Sequence, residues 1–102
     1  MTLNKVRNII ETTSYKRGVK ELKRKKKNRT LEKLFKIVLE LSEFKITTQY
    51  NNHKLQGTNP VIWELHVTGD VLLLYRYVDE GLIIDLVLQN VVNHDSLNRS
   101  TK

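Results

Sequence analysis

The chain has 102 residues, with 18 Lys and Arg against 11 Asp and Glu, which gives a formal net charge of +7. This length allows one domain around one hydrophobic core, because domains typically begin at about 100 residues. The absence of cysteine excludes a disulfide framework, a thiol nucleophile and a cysteine-ligated zinc site. The positive charge predicts attraction to phosphate-rich or acidic partners.

The N-terminal residues contain no apolar stretch of signal-peptide length, and the longest apolar run, residues 71–75, is far shorter than a membrane span. We therefore expect a soluble cytoplasmic protein that does not bind membranes. The charge is uneven: residues 1–36 hold 13 Lys and Arg and three Glu, a local balance of +10, which leaves −3 for the rest. No linker separates these two parts, so we predict one domain over residues 1–98 and a polar tail over residues 99–102.

A short strand is predicted over residues 6–10, followed by an amphipathic helix. The candidates for its N-cap are Thr12, Thr13 and Ser14. Its apolar positions recur at steps of four and three, at Tyr15, Val19 and Leu22. A turn over residues 28–30, with Thr30 as a second cap, is predicted to open another helix that runs to about Phe44. The apolar stripe of this second helix comprises Leu31, Leu34, Phe35, Val38 and Leu41.

The C-terminal part of the chain predicts strands. Residues 45–60 are polar and irregular and end in a Gly- and Pro-containing turn. Residues 61–67 then alternate with period two, and the positions expected to face the core are Val61, Trp63, Leu65 and Val67. Turns at residues 68–70 and 79–81 separate this strand from strands over residues 71–78 and 82–89, the last apolar on Leu82, Ile84, Leu86 and Leu88. The predicted fold is α+β, with two N-terminal helices packed on one face of a small antiparallel sheet. A short helical turn is expected after Asn93.

Histidines and carboxylates mark a candidate site on the other face of this sheet. Glu64 and His66 are two residues apart on a strand, so they share the face that points away from the helices. His53 precedes this strand, His94 follows the last strand, and Asp70 lies in the adjoining turn, so all three can converge there.

Histidines with nearby carboxylates in a basic protein fit acid–base cleavage of RNA. A neutral imidazole takes the 2′-OH proton and a protonated one gives a proton to the leaving 5′-oxygen, since the imidazole pKa lies near working pH. Neighbouring Lys or Arg side chains stabilise the added charge on the phosphorus centre. No metal or other cofactor is required.

Two other interpretations remain open at this point. Three histidines form a known zinc ligand set, but His53, His66 and His94 lack the short spacings typical of such sites. A non-catalytic module that binds RNA or an antitoxin would carry the same basic field. Glu64 alone is also compatible with a cross-strand ion pair.

Several motifs resemble the YafQ-type toxins of the RelE superfamily, small bacterial toxins of type II toxin–antitoxin systems. These motifs are His53-Lys54-Leu55-Gln56-Gly57, the run from Trp63 to Asp70, Leu72 to Arg76, and Asn93-His94-Asp95-Ser96-Leu97. The resemblance extends from Arg7 to about Asn98. It implies a RelE-like fold and a ribosome-dependent mRNA endoribonuclease (mRNA interferase) that inhibits translation without a metal.

The resemblance also implies site residues and partners. The catalytic group comprises His53, Glu64, His66, Asp70 and His94, with His94 as general acid and Asp70 as the group that orients or charges an imidazole. The residues expected to contact RNA are Lys16, Lys20, Lys23, Lys54 and Arg76. The expected partners are a cognate antitoxin, the ribosome with its mRNA, and operator DNA only through the toxin–antitoxin complex. Asn98 stands where relatives commonly carry an aromatic residue, and the residues after His94 are ordered differently, as Asp95-Ser96.

Overall fold

The structure, a computed structural model, describes residues 4–94 and contains two α-helices on one five-stranded sheet. The strands are β1 (Asn8–Glu11), β2 (His53–Lys54), β3 (Trp63–His66), β4 (Val71–Asp79) and β5 (Ile84–Asn93). The helices are α1 (Thr13–Arg24) and α2 (Asn28–Ser42), and a 3₁₀ turn spans Gln49–Asn51. The sheet order is β1-β5-β4-β3-β2. The predicted α+β arrangement is confirmed, and the parallel pairing of β1 with β5 makes the sheet mixed rather than wholly antiparallel.

The N-terminal cap of α1 follows the sequence prediction. The Thr12 hydroxyl accepts a hydrogen bond from the Tyr15 backbone N–H at 3.1 Å and lies 2.9 Å from the Leu88 carbonyl oxygen, to which it donates. One side chain therefore satisfies a free N–H of the first helical turn and joins that turn to β5.

The start of α2 differs from the prediction. The helix begins at Asn28, so residues 28–30 are helical and Thr30 lies inside the helix rather than at its cap. The turn is made earlier, by Lys26, whose φ of 57° is left-handed. The Lys26 and Lys27 N–H groups donate to the carbonyls of Lys23 and Leu22, each at 3.0 Å, which is a Schellman arrangement. The lysine run thus closes α1 and leads directly into α2.

The hydrophobic core lies between the two helices and one face of the sheet. The fully buried helix residues are Leu22, Leu34, Ile37 and Leu41, with Tyr15 nearly so. The buried sheet residues on the same side include Leu65, Val67, Leu73, Tyr75, Leu86, Leu88 and Val91. The predicted apolar stripes of both helices are therefore correct at most positions.

Three apolar residues predicted to face the core are exposed instead. Val61 is 50% exposed and Leu82 is 78% exposed, because β3 and β5 begin two residues later than the sequence indicated, at Trp63 and Ile84. Phe35 is 47% exposed, since the buried stripe of α2 passes through Leu34 and Ile37 instead.

The segment predicted to be irregular contains the edge strand β2. Its two residues pair antiparallel with β3, His53 opposite Glu64 and Lys54 opposite Trp63. None of the helices within residues 4–94 has the length and apolar content of a membrane span.

Candidate active site

The face of the sheet opposite the helices, here called the open face, carries the predicted histidine and carboxylate residues of β2 and β3. Leu65 points into the core, so its neighbours Glu64 and His66 point to the open face, as predicted. Glu64 pairs with His53 on one side and with Leu74 on the other. Directly paired residues share a face, so His53, Glu64 and His66 lie together.

His53 is held by an acceptor at each ring nitrogen. Its Nδ1 lies 2.6 Å from the carbonyl oxygen of Asn51, and its Nε2 lies 3.4 Å from Oε1 of Glu64. A carbonyl oxygen only accepts, so Nδ1 carries the hydrogen that this contact needs, and Nε2 faces the Glu64 carboxylate.

His66 occupies the next row of the open face. It pairs with Leu72 of β4, which in turn pairs with Val92 of β5. The His66 side chain is partly exposed, whereas Leu72 is buried. The imidazole of His66 is therefore reachable from solvent beside apolar neighbours, an environment that suits a group exchanging protons with a bound substrate.

Asp70 and His94 meet one row further along the sheet. The His94 backbone N–H donates to the Asp70 carbonyl oxygen at 2.7 Å, and both residues are exposed. Asp70 sits in the tight turn that joins β3 to β4, where the Thr68 hydroxyl accepts from the Asp70 N–H at 3.3 Å and from the Val71 N–H at 3.1 Å. The structure thus brings these two residues together through their backbones.

The five predicted catalytic residues spread across the open face rather than forming one tight cluster. In the sheet order, β2 and β5 are three strands apart, about 14 Å across the sheet at ~4.8 Å per strand. His94 also lies beyond Asn90, the β5 residue in the row of His53, so the two histidines are further apart than that. His66 lies between them, two strands from β5. Within residues 4–94, no group of three His, Asp or Glu side chains is arranged to hold a metal ion.

The basic residues predicted to bind RNA fall on different surfaces. Lys16, Lys20 and Lys23 form an exposed stripe on α1, which packs on the face of the sheet opposite the histidines. Lys54 follows His53 in β2 and therefore points to the helix side, where its Nζ lies 5.8 Å from the centre of the Trp63 ring. Arg76 alone of the five lies on the open face, where its Nε donates to Gln89 Oε1 at 3.0 Å.

The sequence interpretation missed the loop that leads into His53. Asn52 Oδ1 accepts a hydrogen bond from the buried Tyr75 hydroxyl at 2.5 Å, and Asn52 Nδ2 donates to the Thr47 carbonyl at 2.7 Å. Burial raises the pKa of Tyr75 to about 12, so its hydroxyl keeps its proton at neutral pH. The only sequence signal was the consecutive pair Asn51-Asn52, because asparagine tolerates the left-handed conformation that Asn51 adopts.

The predicted departures at Asn98 and at Asp95-Ser96, and the helical turn expected after Asn93, lie outside the described residues.

Comparisons with known proteins place this fold among bacterial toxins. The chain superposes on the YoeB/ParE toxin of Agrobacterium tumefaciens with a TM-score of 0.74 at 17% identity, over 85% of this chain and 98% of that one. It superposes on YafQ in the Escherichia coli DinJ-YafQ toxin–antitoxin complex with a TM-score of 0.69 at 23% identity, over 93% and 98% of the two chains. A metal-bound toxin from Helicobacter pylori matches with a TM-score of 0.68 at 25% identity, over 88% and 97%. These likenesses confirm the expected RelE/YoeB-like fold.

A search of curated protein sequences finds no significant match. The family model for the YafQ bacterial toxin of type II toxin–antitoxin systems, however, matches residues 7–99, which is nearly the whole chain. The chain therefore belongs to the YafQ toxin family of type II toxin–antitoxin systems.

Proposed function

We propose that this toxin is a ribosome-dependent mRNA endoribonuclease that cleaves mRNA through its 2′-OH by acid–base catalysis, without a metal. One observation carries the proposal: His53, Glu64 and His66 share the open face, with Asp70 and His94 joined at its adjacent end. Imidazole supplies both the base and the acid that this reaction needs at neutral pH.

The proposed reaction uses two proton transfers on opposite sides of one phosphodiester. A neutral imidazole removes the 2′-OH proton while the 2′-oxygen attacks phosphorus, and an imidazolium donates a proton to the departing 5′-oxygen. The products are a 2′,3′-cyclic phosphate and a free 5′-hydroxyl. We assign these two roles to His66, which is partly exposed on the open face, and to His94, which is exposed and follows β5 two residues beyond Val92 in the row of His66.

The remaining site residues orient the substrate and balance charge. In this scheme His94 is the general acid, and Asp70 orients it through the backbone hydrogen bond between the two residues. His53, held by Asn51 and Glu64, binds the RNA strand beside the cleaved bond and exchanges a proton at Nε2. Arg76 on the open face offers positive charge for the phosphorus centre.

The proposed partners follow from the family and from the charge of α1. The E. coli relative is described as a complex with the antitoxin DinJ. We propose that this toxin likewise binds a cognate antitoxin in the cytoplasm, represses operator DNA only as part of that complex, and acts on ribosome-bound mRNA. The single toxin domain spans residues 1–98. The stripe formed by Lys16, Lys20 and Lys23 is available to ribosomal RNA, to substrate RNA or to an acidic antitoxin segment.

The experiment is controlled expression in cells without the antitoxin. Wild-type protein should arrest growth and produce cleaved translated mRNA, and His94→Ala should abolish both, because the leaving oxygen loses its proton donor. Gln56→Ala, an exposed substitution outside the proposed site, is the control and should behave as wild type. Equal toxicity and equal cleavage in wild type and His94→Ala would overturn the catalytic assignment.

A non-catalytic binding module is the second candidate. It is favoured by one observation: the stripe of α1 lies on the side of the sheet opposite the histidines. Such a module would bind RNA or ribosomes with a steep dependence on salt, since phosphate contacts release counterions, yet it would yield no cleavage products.

A further inference from the structure

The loop before β2 holds an unusual backbone. Tyr50 and Asn51 are consecutive and have φ values of 60° and 54°, in the left-handed region that side chains with a Cβ rarely adopt. This backbone directs the carbonyl of Asn51 toward the Nδ1 of His53, 2.6 Å away. The loop conformation thus decides which ring nitrogen of His53 carries hydrogen.

Side chains from α2 and β4, and from the loop itself, hold the loop in this conformation. The Tyr50 hydroxyl donates to Glu40 Oε1 of α2 at 3.1 Å. The Tyr75 hydroxyl of β4 donates to Asn52 Oδ1 at 2.5 Å, and the amide nitrogen of Asn52 donates back to Thr47 at 2.7 Å. The Asn52 N–H also closes the 3₁₀ turn by donating to the Gln49 carbonyl at 3.1 Å.

The contact of Tyr75 is the one that ties this loop to the sheet itself. Tyr75 is only 2% exposed, and it packs against the Tyr77 ring at 5.9 Å between centroids. Its hydroxyl is therefore a fixed point inside the protein, whereas the partners of Tyr50 lie nearer the surface. Asn52 directly precedes His53, the residue that touches RNA in the proposed function, so the hydrogen bond from Tyr75 to Asn52 also restrains His53.

We propose that Tyr75 and Asn52 are positioning residues that fix the tautomer and direction of His53, leaving its Nε2 to face Glu64 and the open face. The inference rests on the proposed function for the role of His53, but the geometry itself is testable without any cleavage. Neither residue contacts the substrate in this scheme; both act through the Asn51 carbonyl.

The experiment compares two matched substitutions in the purified protein. Tyr75→Phe removes the hydroxyl that holds Asn52, and Tyr77→Phe removes the hydroxyl that donates to the Leu41 carbonyl of α2 at 2.6 Å. Both changes conserve the ring and delete one hydrogen bond, at the buried Tyr75 and at the partly buried Tyr77. The first readout is the ¹⁵N chemical shifts of the His53 ring, which distinguish a hydrogen on Nδ1 from one on Nε2.

The expected result is specific to Tyr75. In wild type and in Tyr77→Phe, the neutral His53 ring should carry its hydrogen on Nδ1. In Tyr75→Phe, the neutral ring should be a mixture of both tautomers. Asn52→Ala, which also loses the hydrogen bond to Thr47, should show at least as large a mixture. Adding Tyr75→Phe to Asn52→Ala should change nothing further, since the tyrosine hydroxyl then has no amide oxygen to hold. Unchanged His53 shifts in Tyr75→Phe and in Asn52→Ala, or an equal change in Tyr77→Phe, would overturn the inference.

The second readout is cleavage on ribosomes, with kcat and KM measured separately. Tyr75→Phe should lower cleavage several-fold more than Tyr77→Phe does, and an equal loss in the two variants would contradict positioning. If wild type produces no cleavage at all, the proposed function fails, whereas the ring shifts still decide whether Tyr75 positions His53.

Discussion

At the scale of single residues, both helices end on a left-handed residue that is not glycine. Lys26 after α1 and Phe44 after α2 each have a φ of 57°. In each case the amide of this residue and that of the next residue donate to carbonyls of the last helical turn, which satisfies acceptors that the helix leaves unpaired. Phe44 also packs its ring 5.6 Å from that of Tyr77, so only Lys26 is free to change without loss of a core contact.

Replacing Lys26 with glycine should therefore stabilise the protein. The left-handed conformation costs a residue with a Cβ about 1–2 kcal/mol, and glycine avoids this cost. Glycine also loses more chain entropy on folding, which offsets about 0.5–1 kcal/mol of that gain. We expect Lys26→Gly to raise the free energy of unfolding by about 0.5–1 kcal/mol in urea denaturation. Lys23→Gly, in the helical last turn, is the control and should lower it by about 1 kcal/mol. A loss of stability in both variants would refute the conformational explanation.

A second residue-scale contact sets the response to acid. The Arg7 guanidinium donates to both carboxylate oxygens of Asp85, at 3.2 and 2.8 Å, and joins the chain before β1 to β5. These hydrogen bonds lower the pKa of Asp85 below its usual value. A lowered folded-state pKa gives stability that is present above the unfolded pKa, about 3.9, and is lost as pH falls through the folded value.

The corresponding variant is Asp85→Asn, which keeps the shape but removes the charge. It should be less stable than wild type at pH 7, and the difference should shrink as pH falls below about 4. Urea denaturation across pH 3–7 measures this difference. Asp79→Asn is the control for the loss of one acidic charge, because its amide oxygen still accepts from the Gly81 N–H. If the stability difference between Asp85→Asn and wild type did not change with pH, the ion pair with Arg7 would not be its cause.

At the scale of elements, α1 approaches β5 closely at Gly18. A Cβ on Gly18 would lie 2.7 Å from the Val91 carbonyl oxygen and 2.9 Å from its Cβ. The glycine thus lets the helix backbone rest directly on the strand. Thr12 fixes the start of the same helix on β5, so these two residues set the position of α1 on the sheet.

Gly18→Ala should destabilise the protein even though alanine is the better helix former. The helix propensity gain is about 1 kcal/mol, whereas forcing an atom into a packed contact typically costs 1–3 kcal/mol, and here the obstacle is backbone. We expect a net loss of up to about 2 kcal/mol by thermal or urea unfolding. At Gly69 an added Cβ meets nothing within 4 Å, so Gly69→Ala should be nearly neutral. A stabilised Gly18→Ala protein would contradict the close approach.

The parts of the fold that depend on local pattern could be predicted from the sequence. The stripe through Tyr15 and Leu22 follows helical spacing, and the direction of His66 follows from strand alternation. The predicted start of α2 was wrong because the left-handed residue that makes the turn is Lys26, which carries no sequence signal of the kind that a glycine gives. Strand β2 was missed because its two residues are defined only by their pairing with β3.

The candidate site was only partly accessible to the same reasoning. The residue types and the shared face of Glu64 and His66 follow from sequence, but the row in which each residue lies depends on strand order. The contact from Tyr75 to Asn52 spans 23 positions and that from Arg7 to Asp85 spans 78, and no local pattern indicates either.

At the scale of the whole molecule, positive charge and histidines occupy opposite sides of one sheet. Residues 1–36 carry the local balance of +10, and α1 presents its lysines on the helix side, whereas His53, Glu64 and His66 face the other way. In the proposed function, an acidic or nucleic-acid partner can bind the lysines of α1 while the open face remains available to mRNA. Binding and cleavage should therefore be separable by substitution.

The most direct test of the central claim is cleavage of mRNA on purified ribosomes. Wild-type toxin should cut the mRNA and leave a 2′,3′-cyclic phosphate, whereas His66→Ala and His94→Ala should still bind ribosomes but lose cleavage by at least about 100-fold, the usual worth of a general acid or base. Ribosome binding without cleavage by the wild type, or undiminished cleavage by both variants, would contradict acid–base catalysis on the open face.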